Sequence, residues 1–328
     1  MDTQLRIAFT WLWQNDPYQL MTWRDGLYAA LRELKKRGHV LLVLTHGKIV
    51  GEVELPDFTV QIRPEGEATL HAVEDFKPDV VLSWCDMTRP DSDVGHRLGL
   101  KTAACFAGGN PFGETLRHFD HIFVESEVYR QRFQAAGISV STAFGTNTQL
   151  FDPGHKLVKG QQKVFDVCFP ATYAQWKRHK KFAEAVRGFK AVACGYMYTD
   201  HETDCWEVCQ DAGILTLPHV SADTLCHLYA ASKCCLITSD SSGGSQRTVL
   251  EAMAMNVPVI VMQDSDKCSE YVLDAGLGFV SNPDPIAIRV WLEDLDKRVS
   301  DTRSYIRSKW SEYHYADALE KGLCSLVS

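Results

Sequence analysis

The sequence predicts an α/β protein made of two doubly wound, Rossmann-like domains that face each other. Short apolar runs of strand type alternate with helical segments along nearly the whole chain, a pattern typical of a parallel sheet with helices on both faces. The polar stretch Gly154–Lys163 interrupts the alternation, which then restarts. The 328 residues allow a core in each half. We therefore expect one domain over residues 1–155 and another over 156–328, with the last helix as a candidate to pack back on the first domain.

The first half shows the alternation clearly. Leu27, Leu31 and Leu34 recur at helical spacing, and Gly38 follows where that helix would end. The expected strands are Leu5–Thr10, Val40–Leu44, Phe58–Ile62, Val80–Trp84, Thr102–Phe106, His121–Val124 and Val140–Phe144. The expected helices are Leu27–Arg37, Ala68–Phe76 and Glu127–Ala136.

The second half repeats the same alternation. The expected strands are Val164–Phe169, Ala191–Gly195, Ile214–Leu217, Cys234–Thr238 and Val259–Met262. The expected helices are Lys180–Val186, Glu202–Asp211, Ala222–Ala231, Gln246–Met255, Ser269–Ala275, Pro285–Leu295 and Ser304–Leu323. Ligands of doubly wound sheets bind at the carboxyl ends of the strands, so two facing domains would place a site in the cleft between them.

The segment Thr238–Met262 carries the strongest functional signal. Its loop, Ser239–Ser245, consists of Ser, Gly and Asp and is followed by helix formers. A small-residue loop that ends at a helix N-terminus binds anions, because the first amides of the helix are unpaired and its dipole is positive there. Gly243 and Gly244 would let a phosphate approach the backbone without a Cβ in the way.

Glu251 is the one carboxylate in the otherwise apolar run VLEAMAM of the following helix. A carboxylate there needs a partner, and a ribose diol is a suitable one, because a single carboxylate can accept both hydroxyl protons. The alternative is a serine-capped helix N-terminus with Glu251 merely exposed. At the far end, Asn256 stands where the helix needs a left-handed residue.

Composition argues against several functions. The net charge of −8 argues against a general nucleic-acid binder. No apolar run approaches the roughly 20 residues of a membrane span, and the N-terminal sequence has no signal-peptide pattern. The 11 cysteines are scattered, which favours reduced thiols and a cytoplasmic protein. His118 and His121 lack partners at ligand spacing, so we expect no metal site.

Several ordered motifs resemble the GT-B glycosyltransferases, in particular glycosyltransferase family 4. The run LEAMAMNVPVIV, which contains Glu251, is similar to the nucleotide-sugar motif of that family. Phe144–Pro153 is similar to its domain-border signature, with Asn147 where Asp is usual. Arg37–Val40 and the lysine-initiated helix at Lys177 are similar to two further motifs, and Ile214–Ser239 to the segment before the donor loop.

The resemblance implies transfer of a sugar from a nucleoside diphosphate sugar, with a UDP-sugar as the expected donor and with retention of configuration. It implies neither metal nor cofactor, because a helix end and a lysine would stabilise the leaving diphosphate. The first domain would bind the acceptor and the second the donor. The implied donor-binding residues are Lys177, Gly243, Gly244, Ser245, Gln246, Arg247, Thr248 and Glu251.

The chain departs from the family pattern at two positions. Gly243 occupies the place of the first glutamate of the motif, a residue that usually contacts the donor sugar. Thr172 occupies the place of a common arginine, so one phosphate cation is missing. Arg178, Lys180, Lys181 and Arg247 are candidate replacements. For Lys177 itself the alternative is a solvated cation in the run KRHKK.

The acceptor is expected on the first domain. Asp16, Asp86 and Asn110 are the candidate catalytic residues, because each follows a predicted strand. Asn15, Trp11 and Trp13 share the first of these loops, and the tryptophans either stack on a ligand or belong to the core. The acceptor is a glycan, a small molecule or a modified DNA base.

Two other classes of protein remain open. One is a catalytically inactive module that binds nucleotide sugars, which Gly243 and Thr172 favour. The other is an epimerase or phosphorylase of the same fold. An inactive module would bind nucleotide without turnover, and an epimerase would release free sugar and UDP.

Overall fold

The computed structural model describes residues 4–11, 26–48, 50–85, 94–106, 114–197, 203–240, 247–265, 270–272, 279–293 and 301–328. The chain divides into two compact units. The first unit comprises Met1–Gly145 together with Glu312–Ser328, and the second comprises Thr146–Ser311. The boundary falls between Gly145 and Thr146, whereas the sequence placed it after residue 155. The intervening segment packs in the second unit through buried residues such as Phe151 and Val158.

The first unit contains a mostly parallel sheet. Its described strands, in spatial order, run β3-β4-β2-β1-β5-β6-β7-β8. Their ranges are Arg6–Trp11 (β1), Val40–His46 (β2), Gly51–Glu54 (β3), Thr59–Arg63 (β4), Val80–Cys85 (β5), Thr102–Phe106 (β6), His121–Val124 (β7) and Val140–Thr142 (β8). The sequence did not predict β3, which pairs antiparallel with β4 at the edge. Its residues, GEVE, lack an apolar run because an edge strand has little surface to bury.

Helices cover both faces of this sheet. Their ranges are Leu27–Lys36 (α1), Glu67–Phe76 (α2), Val94–Arg97 (α3) and Glu127–Ala135 (α4), with the C-terminal helix Glu312–Val327 added from the far end of the chain. Alternate residues of β1 enter different cores: Ile7 and Phe9 pack with α1, while Ala8 packs with α2 and α3. Because both faces are covered, strands such as β1, β6 and β7 are buried along most of their length, as the sequence pattern indicated.

The C-terminal helix is held to the first unit by apolar and polar contacts. Leu319 and Leu323 lie fully buried in its core. On the rim, Glu320 accepts hydrogen bonds from Arg37 at 2.6 Å and from His39 at 2.9 Å. His39 Nδ1 accepts from the Leu5 amide at 3.1 Å, so its proton is on Nε2, which donates to Glu320.

The predicted single helix Ser304–Leu323 is wrong. The structure has two helices there, Thr302–Lys309 and the C-terminal helix, with a break at Trp310–Ser311. The Thr146 amide donates to the Trp310 carbonyl at 2.8 Å, and Thr146 pairs with Ser311 as a short parallel bridge. The break arises because the two connections between the units run side by side, and no glycine or proline marks it.

The second unit contains a parallel sheet with described strands in the order β11-β10-β9-β12-β13-β14. Their ranges are Phe165–Pro170 (β9), Ala191–Cys194 (β10), Leu215–Leu217 (β11), Ser232–Ile237 (β12), Val259–Met262 (β13) and Phe279–Ser281 (β14). The helices are His179–Ala185 (α5), Thr203–Asp211 (α6), Ala222–Ala230 (α7), Arg247–Ala254 (α8), Pro285–Glu293 (α9) and Thr302–Lys309 (α10).

Strand order reverses between β9 and β12. From β9 the sheet grows in one direction through β10 and β11, and in the other through β12, β13 and β14. A crevice opens at such a switch point, beyond the carboxyl ends of the two central strands. The segments that follow β9 and β12 are therefore neighbours.

We predict that Glu320→Gln weakens the attachment of the C-terminal helix. Burial opposes it, but hydrogen bonds from Arg37 and His39 hold the pKa of Glu320 below its ordinary value of 4.5. The stabilisation is therefore complete above pH 4.5 and is lost as the pH falls through the lower, folded-state pKa. Since the side chains are partly exposed, we expect a loss of about 1 kcal/mol at neutral pH.

The measurement is the urea midpoint of wild type and Glu320→Gln at pH 7 and pH 3. The two midpoints should differ at pH 7, and the difference should be smaller at pH 3. Glu74→Gln is the control, because Glu74 is exposed and its nearest cationic partner, His71, is 3.9 Å away. An equal loss in the control, or a difference as large at pH 3 as at pH 7, would contradict the prediction.

Candidate active site

Two hydrogen bonds join the segments that follow β9 and β12. Thr238 Oγ1 donates to the Lys177 carbonyl at 2.7 Å, and the Asp240 amide donates to the Trp176 carbonyl at 3.0 Å. Residues Gln175–Lys177 form one turn of 3-10 helix. This turn is therefore fixed against the first residues of the loop predicted to bind an anion.

Lys177 is buried, with 8% of its surface exposed. It is therefore not the solvated surface cation that was its alternative interpretation. A lysine ammonium is rarely buried without a function or a partner. Its position after β9, beside the loop after β12, is the location at which a doubly wound sheet binds an anionic ligand.

Arg178 bridges the loops after β12 and β13. Its guanidinium contacts Asp264 through both oxygens, at 2.9 and 2.6 Å, and Asp240 at 3.6 Å. Its backbone is left-handed, with φ of 57°, and it separates the 3-10 turn from α5. Two carboxylates neutralise Arg178, so it is a poor replacement for the missing phosphate cation.

The other candidate replacements for the missing phosphate cation are Lys180, Lys181 and Arg247, and they differ in position and exposure. Lys181 donates to the Pro283 carbonyl at 3.0 Å, away from the loop. Lys180 is exposed on α5, and Arg247 is half-buried at the first position of α8. Arg247 is thus the candidate that the structure places at the anion-binding end of the helix.

Helix α8 begins at Arg247, after the loop that follows β12. Gly243, which occupies the position of the family's first glutamate, lies outside the described residues. Gly244, Ser245 and Gln246 also lie outside them. Thr248 lies in the first turn of α8, and Ser239 follows β12. The hydroxyls of Ser239 and Thr248 are buried and have no hydrogen-bond partner in the described part of the chain. Buried hydroxyls usually have a hydrogen-bond partner. The sequence did not indicate Ser239 as a site residue.

Glu251 is almost completely buried, at 1% exposure, so the interpretation of a merely exposed carboxylate is wrong. Tyr229, from α7, donates its hydroxyl to Glu251 Oε2 at 3.0 Å and lies 3.3 Å from the Thr248 carbonyl. Burial and the negative charge of Glu251 raise the pKa of Tyr229 well above 10.0. Tyr229 therefore stays protonated and acts as a permanent donor.

The C-terminal end of α8 is held by α10. Asn256 has φ of 56°, which confirms the predicted left-handed residue after the helix. Thr302 Oγ1 donates to the Met253 carbonyl at 2.7 Å, and Arg303 donates to the Ala254 carbonyl at 2.8 Å and to the Phe151 carbonyl at 2.7 Å. These bonds satisfy carbonyls that a helix end leaves unpaired. No sequence motif indicated Thr302 or Arg303.

His179 is a further residue near the candidate site that the sequence did not indicate. It packs against Tyr173 and Phe169, with ring centroids 4.9 Å apart in both pairs. Burial and the nearby charge of Lys177 lower the pKa of His179 to about 3, against a contact with the Ala174 backbone that raises it. The imidazole is therefore neutral at physiological pH and adds no positive charge beside Lys177.

The predicted acceptor residues fall mostly outside the described chain. Asp16, Asp86 and Asn110 lie there, together with Asn15 and Trp13. Trp11 is described, and it belongs to the core of the first unit at 3% exposure. Its ring centroid is 6.3 Å from that of Trp84. Trp11 is thus a core residue at the carboxyl end of β1.

Two searches of the described residues gave negative results. No group of three or more His, Cys, Asp or Glu among them is arranged to hold a metal ion. No helix among them is long and apolar enough to cross a membrane.

Comparisons with known proteins bear on the family and the fold of the chain. Residues 165–291 match the family described as glycosyl transferases group 1. The structure is similar to sucrose-phosphate synthase from Thermosynechococcus elongatus, with a TM-score of 0.78, 14% identity and 99% of each chain covered. No curated protein sequence matches the chain.

Two further structures share the fold. A glycosyltransferase from Rickettsia africae superposes with a TM-score of 0.75 at 15% identity, covering 99% of each chain. Anabaena HepE in complex with UDP and glucose superposes with a TM-score of 0.75 at 14% identity, covering 98% of this chain and 100% of HepE.

The shared architecture confirms the predicted fold class, two parallel-sheet α/β domains of the GT-B type. The family match covers residues 165–291, from β9 into α9 of the second unit. This part of the chain is similar to the glycosyl transferases of group 1, and the chain as a whole has the GT-B fold. Its membership of family 4 in particular stays a prediction.

We predict that Arg178→Gly is more stable than Arg178→Ala. Both variants lose the ion pairs with Asp240 and Asp264, but only glycine adopts φ of 57° without steric cost. The expected difference is about 1 kcal/mol in free energy of unfolding. Thermal unfolding of the two variants measures it.

The matched control is Lys180→Gly against Lys180→Ala. Lys180 lies in α5, where glycine is less favourable than alanine by about 1 kcal/mol, so the order should be the reverse. The same order at both positions would show that the left-handed backbone of Arg178 has no influence on stability.

Proposed function

We propose that the protein transfers a sugar from a UDP-sugar to an acceptor hydroxyl, with retention and without a metal ion. The observation that carries the proposal is the buried Lys177, held by hydrogen bonds against the loop after β12. The proposal is also supported by the complexes of HepE, which contain UDP, UDP and glucose, and UDP-glucose.

The donor diphosphate would lie at the N-terminus of α8. Lys177 would supply a positive charge to the diphosphate, and backbone amides from Gly244 to Arg247 would donate hydrogen bonds to it. The buried hydroxyls of Ser239 and Thr248 need acceptors, and phosphate oxygens would provide them. Arg178 would stay out of this contact, because Asp240 and Asp264 neutralise it.

The ribose would be recognised by Glu251. A carboxylate buried among Leu250, Ala252 and Met253 is costly unless its charge is used. Tyr229 occupies one lone-pair position of Oε2, and a carboxylate has about four. Ribose hydroxyls would donate to positions that remain.

The chemical step would depend on electrostatic stabilisation of the leaving diphosphate. Charge builds on the leaving oxygen in the transition state, where donors placed beforehand act most strongly. Gly243 offers no carboxylate to the sugar, so the sugar would be held by backbone groups, by Ser242 or Ser245, or by the first unit. Asp16, Asp86 and Asn110 remain the candidate catalytic residues there.

The acceptor would be a glycan or a small molecule. A modified DNA base is the third option, but the net charge of −8 opposes binding of a polyanion. The buried free thiols among the described cysteines favour a reducing compartment, the cytoplasm. A second candidate function is an inactive module that binds nucleotide sugars, because Gly243 and Thr172 replace two polar residues of the family pattern.

We predict that Lys177→Met lowers kcat and not only donor affinity. The ammonium would stabilise the leaving diphosphate, and removal of such a group typically costs about 100-fold or more in kcat. The measurement is UDP release from a panel of UDP-sugars, first in water and then with sugar acceptors. Lys180→Met is the control, since Lys180 lies exposed on the neighbouring helix and should keep wild-type rates.

The outcomes of this experiment separate the two candidate functions. A wild-type protein that binds UDP by calorimetry yet turns over no donor would be the inactive module. If Lys177→Met retained the wild-type kcat, the leaving-group role of Lys177 would be wrong.

We predict that turnover persists in excess EDTA. The cationic contributions assigned above come from Lys177 and the α8 dipole, so a chelator has nothing essential to remove. Rates are compared before and after EDTA treatment, and again after addition of Mg²⁺ or Mn²⁺. A rate that collapses with EDTA and recovers with the metal would refute metal-free transfer.

A further inference from the structure

The geometry points to Tyr229 as a positioning residue for recognition of the donor ribose, an inference that rests on the proposed role of Glu251. Tyr229 would act through the carboxylate and not touch the donor itself. Its hydroxyl would set which way the carboxylate of Glu251 faces, and would thereby make the site prefer a ribonucleotide over its dideoxy analogue.

The first argument is the burial of the pair. Tyr229 is fully buried and Glu251 is 1% exposed, and the bond between them is 3.0 Å long. In such surroundings a hydrogen bond to a charged group is stronger than in water. A carboxylate can rotate about its last single bond, so a donor fixed on Oε2 also fixes the direction of Oε1.

The second argument is that Tyr229 contacts the helix as well as the side chain. The same hydroxyl lies 3.3 Å from the Thr248 carbonyl, in the first turn of α8. One oxygen from α7 therefore holds the carboxylate relative to the helix end proposed to bind the diphosphate. The ribose and diphosphate contacts would keep a constant separation.

The third argument is the support of the tyrosine ring. Phe151 packs edge-on against it, with centroids 6.0 Å apart, and the Phe151 carbonyl accepts from Arg303, which also binds the end of α8. The ring of Tyr229 is therefore packed by Phe151, whose backbone is bound by the same arginine that binds the C-terminal end of α8. Packing alone needs only a phenyl ring, so the hydroxyl has a separate role.

The experiment compares UDP with 2′,3′-dideoxyuridine diphosphate by calorimetry, and inorganic pyrophosphate by its displacement of UDP. Wild type should prefer UDP by about tenfold or more, as loss of a hydrogen bond to a charged group predicts. Tyr229→Phe should reduce the preference to about threefold or less. The affinity of Tyr229→Phe for pyrophosphate should stay at the wild-type value. A purely structural defect would weaken pyrophosphate binding as well.

Two further variants sharpen the comparison. Tyr173→Phe is the matched control, because Tyr173 is also fully buried but donates to the Leu217 backbone carbonyl at 3.1 Å. It should keep the wild-type preference. Glu251→Gln should lose the preference, and Tyr229→Phe added to Glu251→Gln should have no further effect on it, since the tyrosine acts only through the carboxylate.

Each other outcome has a defined meaning. A wild type that binds no UDP refutes the proposed function. A wild type that binds UDP but does not prefer it to the dideoxy analogue overturns the role of Glu251 and this inference with it. A preference unchanged in Tyr229→Phe, equal weakening of pyrophosphate and UDP, or additive effects in the double variant overturns the inference alone. If Tyr229→Phe does not fold, Tyr229→Met gives the same test, because methionine is a flexible apolar side chain without a hydroxyl.

Discussion

The site in the second unit depends on the pair of hydrogen bonds that join the segments after β9 and β12. Thr238 binds the Lys177 carbonyl and Asp240 binds the Trp176 carbonyl. These segments meet because strand order reverses between β9 and β12. The bonds fix the backbone of the buried Lys177 beside the start of the loop after β12. They also leave Arg178 between two loops, in a left-handed backbone conformation.

The charges around this point are distributed unequally. Arg178 forms ion pairs with two carboxylates, and the neighbouring Lys177 is buried. His179 stays neutral because burial lowers its pKa. In our proposal, the ammonium of Lys177 contacts the donor diphosphate. The same unit buries the carboxylate of Glu251, which is stabilised by a tyrosine that cannot ionise.

Helix α8 is positioned from both ends. Tyr229 contacts its first turn, and Thr302 and Arg303 bind the carbonyls of its last turn. Arg303 also binds the Phe151 carbonyl, close to the point at which the chain enters the second unit. A rigid helix suits a site that must present donors before charge develops, since preorganised groups need no rearrangement during the reaction.

The sequence alone determined the fold class, the position of every predicted strand among the described residues, and the helix with Glu251 and Asn256. These features depend on local periodicity and turn chemistry, which are visible along the chain. Tertiary structure decided the rest: the edge strand β3, the break at Trp310–Ser311, the neutralisation of Arg178 and the contact of Tyr229 with Glu251. The strand β3 forms by pairing with the neighbouring β4 at the sheet edge. The other three features depend on residues that are further apart in the sequence and meet only in the folded protein, so no local pattern encodes them.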